Sequence, residues 1–269
     1  NRSGPRLLVK FNKQDNPFTD SLKTHFPEYE YVEVSTTNEL FTMPELRKYC
    51  DTAFYYNEHF SLLAENCAVT YAGLENAVMV EDGAMSVFSD FGFSIKADMR
   101  TYEPWSTVEK CSQWLLKTAR EDTTANKHFY GVAEGNVGRN KAIDFMVQQK
   151  MVCFILDSHA EHVGPDHFKK YQEPYLRLYP PFSVSHGWWS KEVKDVEALS
   201  TFGHTSANQG ENVSFWHKLP VKGDYLQRKS KDTLPAYDPS KTYVLFTFSQ
   251  GDGMRYCQRT NFEKYVHED

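Results

Sequence analysis

The sequence predicts an α/β fold with a parallel sheet, and three observations carry that reading. Short apolar runs alternate with helical patterns along the chain, the rhythm of βαβ units. Met151-Val152-Cys153-Phe154-Ile155-Leu156 is apolar without a break, as expected of a strand covered on both faces. Aromatic residues make up 15% of the chain, enough for a large core with rings to spare for lining a cleft. A length of 269 residues suits one large domain or two small ones.

The elements follow in order. Arg6 to Phe11 and Glu30 to Val34 read as strands. Thr42-Met43-Pro44-Glu45 reads as a capping box with Pro in the first turn. Leu46, Tyr49, Ala53, Tyr56, Phe60 and Leu63 then form one apolar helical face, which a packing helix explains without invoking function. Next come strands at Ala68–Tyr71, Ala77–Val80 and Ser94–Asp98, a helix from Trp105 to Arg120 and a strand from His128 to Ala133. Helices at Arg139–Lys150, Asp166–Leu178 and Lys191–Leu199 alternate with strands at Met151–Leu156, Phe182–Trp189, Asn212–Leu219 and Tyr243–Phe248. Gly223 to Ser240, polar and carrying two prolines, reads as a surface loop.

Charge narrows the function classes. Thirty Lys and Arg against thirty-six Asp and Glu leave a net charge of -6, and no long basic run is present to recruit phosphates, so no nucleic acid is expected as partner. No apolar stretch is long enough for a spanning helix. The five cysteines (50, 67, 111, 153 and 257) include no C-x-x-C pair, which argues against a zinc ribbon or a redox dithiol. Cys153, inside an apolar strand, reads as a small hydrophobic side chain. Asn1-Arg2-Ser3 and Asn212-Val213-Ser214 are glycosylation sequons that favour a secretory route, with Asn1 the easier acceptor.

Ligands of parallel α/β sheets bind beyond the carboxyl ends of the strands, so the residues at those ends are the candidates. One strand ends in Asp157-Ser158-His159. Another ends in His186-Gly187-Trp188-Trp189, with Glu192 just after it. A third ends in Ser249-Gln250-Gly251-Asp252-Gly253, followed by Arg255. Asp157 could equally cap a turn, and Glu192 suits the positive end of a helix dipole. Trp188 and Trp189 are adjacent on a strand and face opposite ways, so one of them is a candidate platform for a sugar ring. A zinc site would draw on Asp157, His159, His162 and His186. Ten histidines produce such clusters by chance, so no metal or cofactor is expected.

Several stretches resemble the GxGYxYP family of glycoside hydrolase-like proteins. They are Asn1 to Leu7, Thr70 to Ala77, Ala97 to Arg100, Tyr179 to Trp189 with Glu192, Leu199 to Gly203, Asn212 to Trp216, and Tyr243 to Gly253, in the family's order. The resemblance implies α/β domains at 1–66 and 67–138, followed from 139 to 269 by the beginning of a distorted (β/α) barrel-like domain. It also implies a secreted or lumenal location and a carbohydrate partner. A barrel needs more βα units than the chain holds, so another segment or another chain is expected to complete it.

Glycoside hydrolysis needs two carboxyl groups, about 5 Å apart for retention and roughly 6.5–9.5 Å for inversion. Asp252 and Asp157 are the expected pair, with Glu192 in reserve. Trp188, Trp189, His186 and Arg255 are the expected substrate contacts. Where the family carries an Asp-Gly-Asp-Asn type of turn, this chain has Gln250-Gly251-Asp252-Gly253. The alternative is therefore a non-catalytic carbohydrate-binding or structural extracellular protein on the same scaffold.

Overall fold

The structure is a computed structural model of the chain. It describes residues 6–10, 16–132, 142–154, 166–187, 192–207, 212–220 and 240, with the side chains of 16–18, 87 and 192–195 outside the description. Residues 1–220 form one compact unit and residues 221–269 another. The expected loop at 223–240, except for Ser240, and the expected strand at 243–248 lie outside the described residues.

The fold is α/β, and its described strands form two open parallel sheets rather than a closed barrel. The first sheet has the order β2-β1-β3: β1 (Thr52–Tyr56) is flanked by β2 (Val78–Glu81) and β3 (Ser94–Asp98). The second has the order β4-β5-β6, from Phe129–Gly131, Val184–His186 and Thr205–Ala207. Residues 151–154 lie along the free side of β4 through a parallel bridge between Gly131 and Cys153. The amide of Gly131 donates to Val152 O at 3.1 Å, and the amide of Phe154 donates to Gly131 O at 2.7 Å. Each sheet thus begins by stepping to one side of its first strand and then crossing back to the other. The first sheet spans the expected boundary after residue 66, and the second spans the one after 138.

Two sequence expectations fail for one reason, which is burial on all sides. The expected long helix from Leu46 is a single turn, α3 (Pro44–Arg47), and Thr52–Tyr56 is a central strand. Residues this aromatic and this buried match a covered strand as well as they match a helical stripe. Upstream lie α1 (Asn16–His25) and α2 (Thr37–Thr42). The effective cap belongs to α2: Thr36 Oγ1 accepts from the Glu39 amide at 3.1 Å, and Glu39 reaches back to the Ser35 amide.

Conversely, the expected strand at 68–71 lies within α4 (Ala64–Glu75). Eight of its residues are buried, because α4 packs against the first sheet and also against α7 (Ile143–Gln148). A helix apolar on all faces shows no readable stripe. Contact with α7 is close enough that a Cβ on Gly73 would lie 2.9 Å from Val147 O. The amide of Cys153 donates to Thr70 Oγ1 at 2.8 Å, which ties the edge of the second sheet to α4.

Helix α5 (Met85–Ser89) leads to β3, and α6 (Val108–Glu121) follows it where a helix was expected. A π-helical turn at Phe168–Gln172 runs into α8 (Glu173–Leu176), and α9 (Glu192–Thr201) precedes β6. The expected strand at 212–219 is instead a one-turn helix, α10 (Val213–Trp216), entered through Asn212 in the left-handed region at φ 58°. The expected strands at 6–11 and 30–34 form no ladder in their described residues. Val9 finds its partner in a side chain: its amide donates to Asn212 Oδ1 at 2.7 Å, and its carbonyl accepts from Asn212 Nδ2 at 2.9 Å.

One apolar cluster joins the two sheets, running from Phe54, Cys67 and Trp105 through Leu115 to Tyr130, Val152, Phe154 and Tyr175. No helix among the described residues is long and apolar enough to cross a membrane.

Candidate functional site at the carboxyl edge of the second sheet

The chain leaves β4 through α7 for the strand at 151–154, then returns through α8 to β5 on the opposite side of β4. Where the winding reverses, the connecting loops diverge and leave a crevice beyond the carboxyl ends of the two strands. In this sheet the winding reverses between β4 and β5. Val132 donates its amide to His186 O at 2.8 Å, closing the last rung. Gly187 follows at φ 110°, and a Cβ there would lie 2.3 Å from Val132 O. Only glycine permits that turn, so the backbone leading toward Trp188 and Trp189 is fixed by the rung beneath it.

His186 sits at the end of β5, half-buried, with its ring edge-on to Phe129 at 5.7 Å and to Phe145 at 5.1 Å. Burial pushes its pKa below the ordinary 6.5, so the ring is neutral at neutral pH. The ring packs beside Phe145 of α7 and stays partly exposed. Glu192 opens α9, the next helix after β5, at the positive end of its dipole. Asp157, Trp188, Trp189, Asp252, Arg255 and Asn1 lie outside the described residues. The other sequon residue, Asn212, stands on a helix entry rather than on the strand expected there.

At the carboxyl edge of the first sheet the charges satisfy one another. Arg100 grips Asp98 through Nε at 2.9 Å and Nη2 at 2.6 Å, and reaches Asp82 through Nη1 at 3.0 Å. The guanidinium holds the Asp98 carboxyl below the usual carboxylate range. This fork-to-fork pairing occupies the donors a ligand carboxylate or phosphate would need.

Two histidine arrangements escape sequence reasoning because their partners are remote in the chain. His167 Nε2 lies 2.8 Å from Ser112 Oγ, with the Gln172 amide nitrogen 3.2 Å from Nδ1. The pair has the spacing of a nucleophile and base, but Ser112 is fully buried on the inner face of α6, where no substrate carbonyl can reach Oγ. It is a polar pin between α6 and the π turn. His204 Nδ1 lies 2.9 Å from Tyr130 OH, and Nε2 lies 3.3 Å from Tyr179 O. Nε2–H therefore donates to the carbonyl while Nδ1 accepts from the phenol, a neutral tautomer that agrees with the lowering of its pKa by burial. No cluster of three or more His, Cys, Asp or Glu suited to a metal occurs among the described residues.

No family model matches the chain, and no curated protein matches it. Among solved structures, a protein from Bacteroides thetaiotaomicron described as a "putative hydrolase" is similar, with a TM-score of 0.59 and 13% identity over 75% of this chain. The two share a fold. The match takes in 36% of that protein's length.

Proposed function

We propose that this protein is a glycoside hydrolase-like protein of the GxGYxYP type that binds and cleaves an extracellular glycan at the carboxyl edge of its second sheet. One observation carries the reading: the winding reverses between β4 and β5, immediately before Trp188, Trp189 and Glu192 in the sequence. The likeness in fold to a protein described as a hydrolase supports the same class. In this reading Trp188 or Trp189 stacks on a sugar ring and Arg255 contacts its hydroxyls. Asp157 and Asp252 serve as acid and base, with Glu192 able to replace one of them. His186, at the end of β5, is a further substrate contact. A secretory route belongs to the proposal, with a glycan on Asn1 rather than on Asn212, whose side-chain amide is already bonded to Val9.

A glycan array followed by chromatography of the products tests this. The expected result is selective binding, weakened about tenfold or more by Trp188→Ala or Trp189→Ala, since a lost stacking contact is worth more than about 1 kcal/mol. Release of product should fall by about 10²–10⁴ in Asp157→Asn or Asp252→Asn, the range for a lost general acid or base. Binding without product release identifies the non-catalytic carbohydrate-binding protein. Absence of binding to any glycan overturns both.

A further inference from the structure

The chain enters β5 through a tight turn, Pro180-Pro181-Phe182-Ser183, at the amino edge of the second sheet. The Ser183 amide donates to Pro180 O at 3.2 Å, and Phe182 lies at φ 69°. The proline ring keeps φ of Pro181 negative, so a positive φ at the next residue makes this a type II turn. That position ordinarily holds Gly or Asn. A bulky side chain is strained there. Burial returns nothing for the strain, since Phe182 is 87% exposed.

The rest of the turn holds that conformation in place. Ser183 Oγ donates to Pro180 O at 2.6 Å, the Phe182 amide donates to Gly203 O at 2.8 Å, and the Thr205 amide donates to Ser183 O at 3.0 Å. A strained residue persists only where its surroundings over-determine it, and such residues gather at ligand contacts. The result is an aromatic ring presented to solvent beside exposed Pro180 and Pro181. His128 and Thr205, also exposed, stand at the entries to the flanking strands β4 and β6.

We propose that Phe182 is a second glycan contact, stacking on a sugar ring at the amino edge of the second sheet, opposite the carboxyl edge assigned above. It rests on the glycan reading and adds a place where a polymer is held. Size argues against a second copy of the chain. Three side chains offer on the order of a few hundred Å², against roughly 800 Å² per partner in a stable interface. Charge argues against an anionic lipid surface, which recruits free cations. Arg177 is held by Glu173 at 2.6 Å and lies over the Phe202 ring, while Lys127 donates to Ala119 O and Asp122 O at 2.8 and 3.0 Å. The chain as a whole carries a net charge of -6. A sugar ring needs one aromatic face for its C–H groups and polar neighbours for its hydroxyls, which His128 and Thr205 offer. From Phe182 to Gly187 the extended chain covers about 17 Å, so a polysaccharide can engage both edges while a short oligosaccharide engages one.

The test compares the full wild-type chain with Phe182→Asn and Phe182→Tyr on an array of plant, fungal and bacterial polysaccharides and their matched short oligosaccharides. Asn tolerates a positive φ, so Phe182→Asn should leave the denaturation midpoint unchanged or raise it. Its binding to polysaccharide should weaken about threefold to tenfold, the loss of one stacking contact, with oligosaccharide binding and turnover unchanged. Phe182→Tyr should bind as the wild type does. Suppose Phe182→Asn binds polysaccharide as tightly as the wild type, while Trp188→Ala or Trp189→Ala weakens oligosaccharide binding. That result overturns this proposal and leaves the reading of the carboxyl edge standing. A lower midpoint in Phe182→Asn would show that the fold itself holds the ring, and overturns the proposal too. So does a dimer, or binding to phosphatidylserine vesicles, that Phe182→Asn abolishes. A wild-type chain that binds no glycan on the array overturns both readings.

Discussion

At the scale of single residues, the strongest constraint at the candidate site is a missing side chain. Gly187 combines a φ of 110° with an approach to Val132 O that no Cβ could share. Gly187→Ala should therefore destabilise the fold by about 2–4 kcal/mol, the sum of a strained backbone and a backbone clash. Chemical denaturation reads this directly, and a loss below about 0.5 kcal/mol would mean that the turn is held some other way. Thr70 makes a comparable point in the core. Its hydroxyl accepts from the Cys153 amide and donates to Asn66 O at 2.8 Å. Thr70→Val keeps the shape but leaves the buried amide without an acceptor, an expected cost of about 1–3 kcal/mol. Hydrogen exchange at Cys153 should accelerate in step with that loss; unchanged protection would show that another acceptor serves the amide.

At the scale of elements, side chains replace strand partners. Asn212 mimics a neighbouring strand for Val9, using one acceptor and one donor on a single amide. Asn212→Ala should free residues 6–10, making them the first site cut in limited proteolysis while the sheets keep their protection. Equal cleavage rates in variant and wild type would place the hold on this segment elsewhere. The same residue shows what local pattern can and cannot reveal. Residues Asn212–Leu219 read as a strand in the sequence, yet the left-handed conformation of Asn212 turns the chain into α10. The strands β2 and β3 and the helices α6 and α9 are legible because each shows a single buried stripe or a short run bounded by turns. Helix α4 and strand β1 are not, because burial on every side erases the periodicity that tells a helix from a strand.

At the scale of the whole molecule, the core that links the two sheets predicts joint unfolding of the 1–220 unit, and the buried histidines predict its response to acid. Burial lowers the pKa of both His186 and His204 below 6.5. In the window between each folded value and 6.5 the unfolded chain binds the proton and the folded chain does not. Stability is therefore present above that window and lost as pH falls through it. Calorimetry should show Tm falling between about pH 7 and about pH 5, with a shallower fall in His204→Asn, where the amide oxygen keeps an acceptor for Tyr130. A Tm that is flat or rises on acidification would rule out neutral burial of these rings. A second loss follows at lower pH, as carboxylates such as Asp98, held down by Arg100, become protonated.

From the sequence alone came the α/β class, the parallel character of the strands, the positions of about half the elements, and the choice of strand carboxyl ends as the place to look for chemistry. Those features are local: they depend on apolar periodicity, turn residues and the length of apolar runs, all of which are written within a dozen residues. Strand order, the reversal of winding between β4 and β5, and the packing of His186 against Phe129 and Phe145 depend on which remote segments meet. So does the pairing of Ser112 with His167. These were decided only in the tertiary structure, because burying a covered strand constrains its apolar character but not the identity of its neighbours.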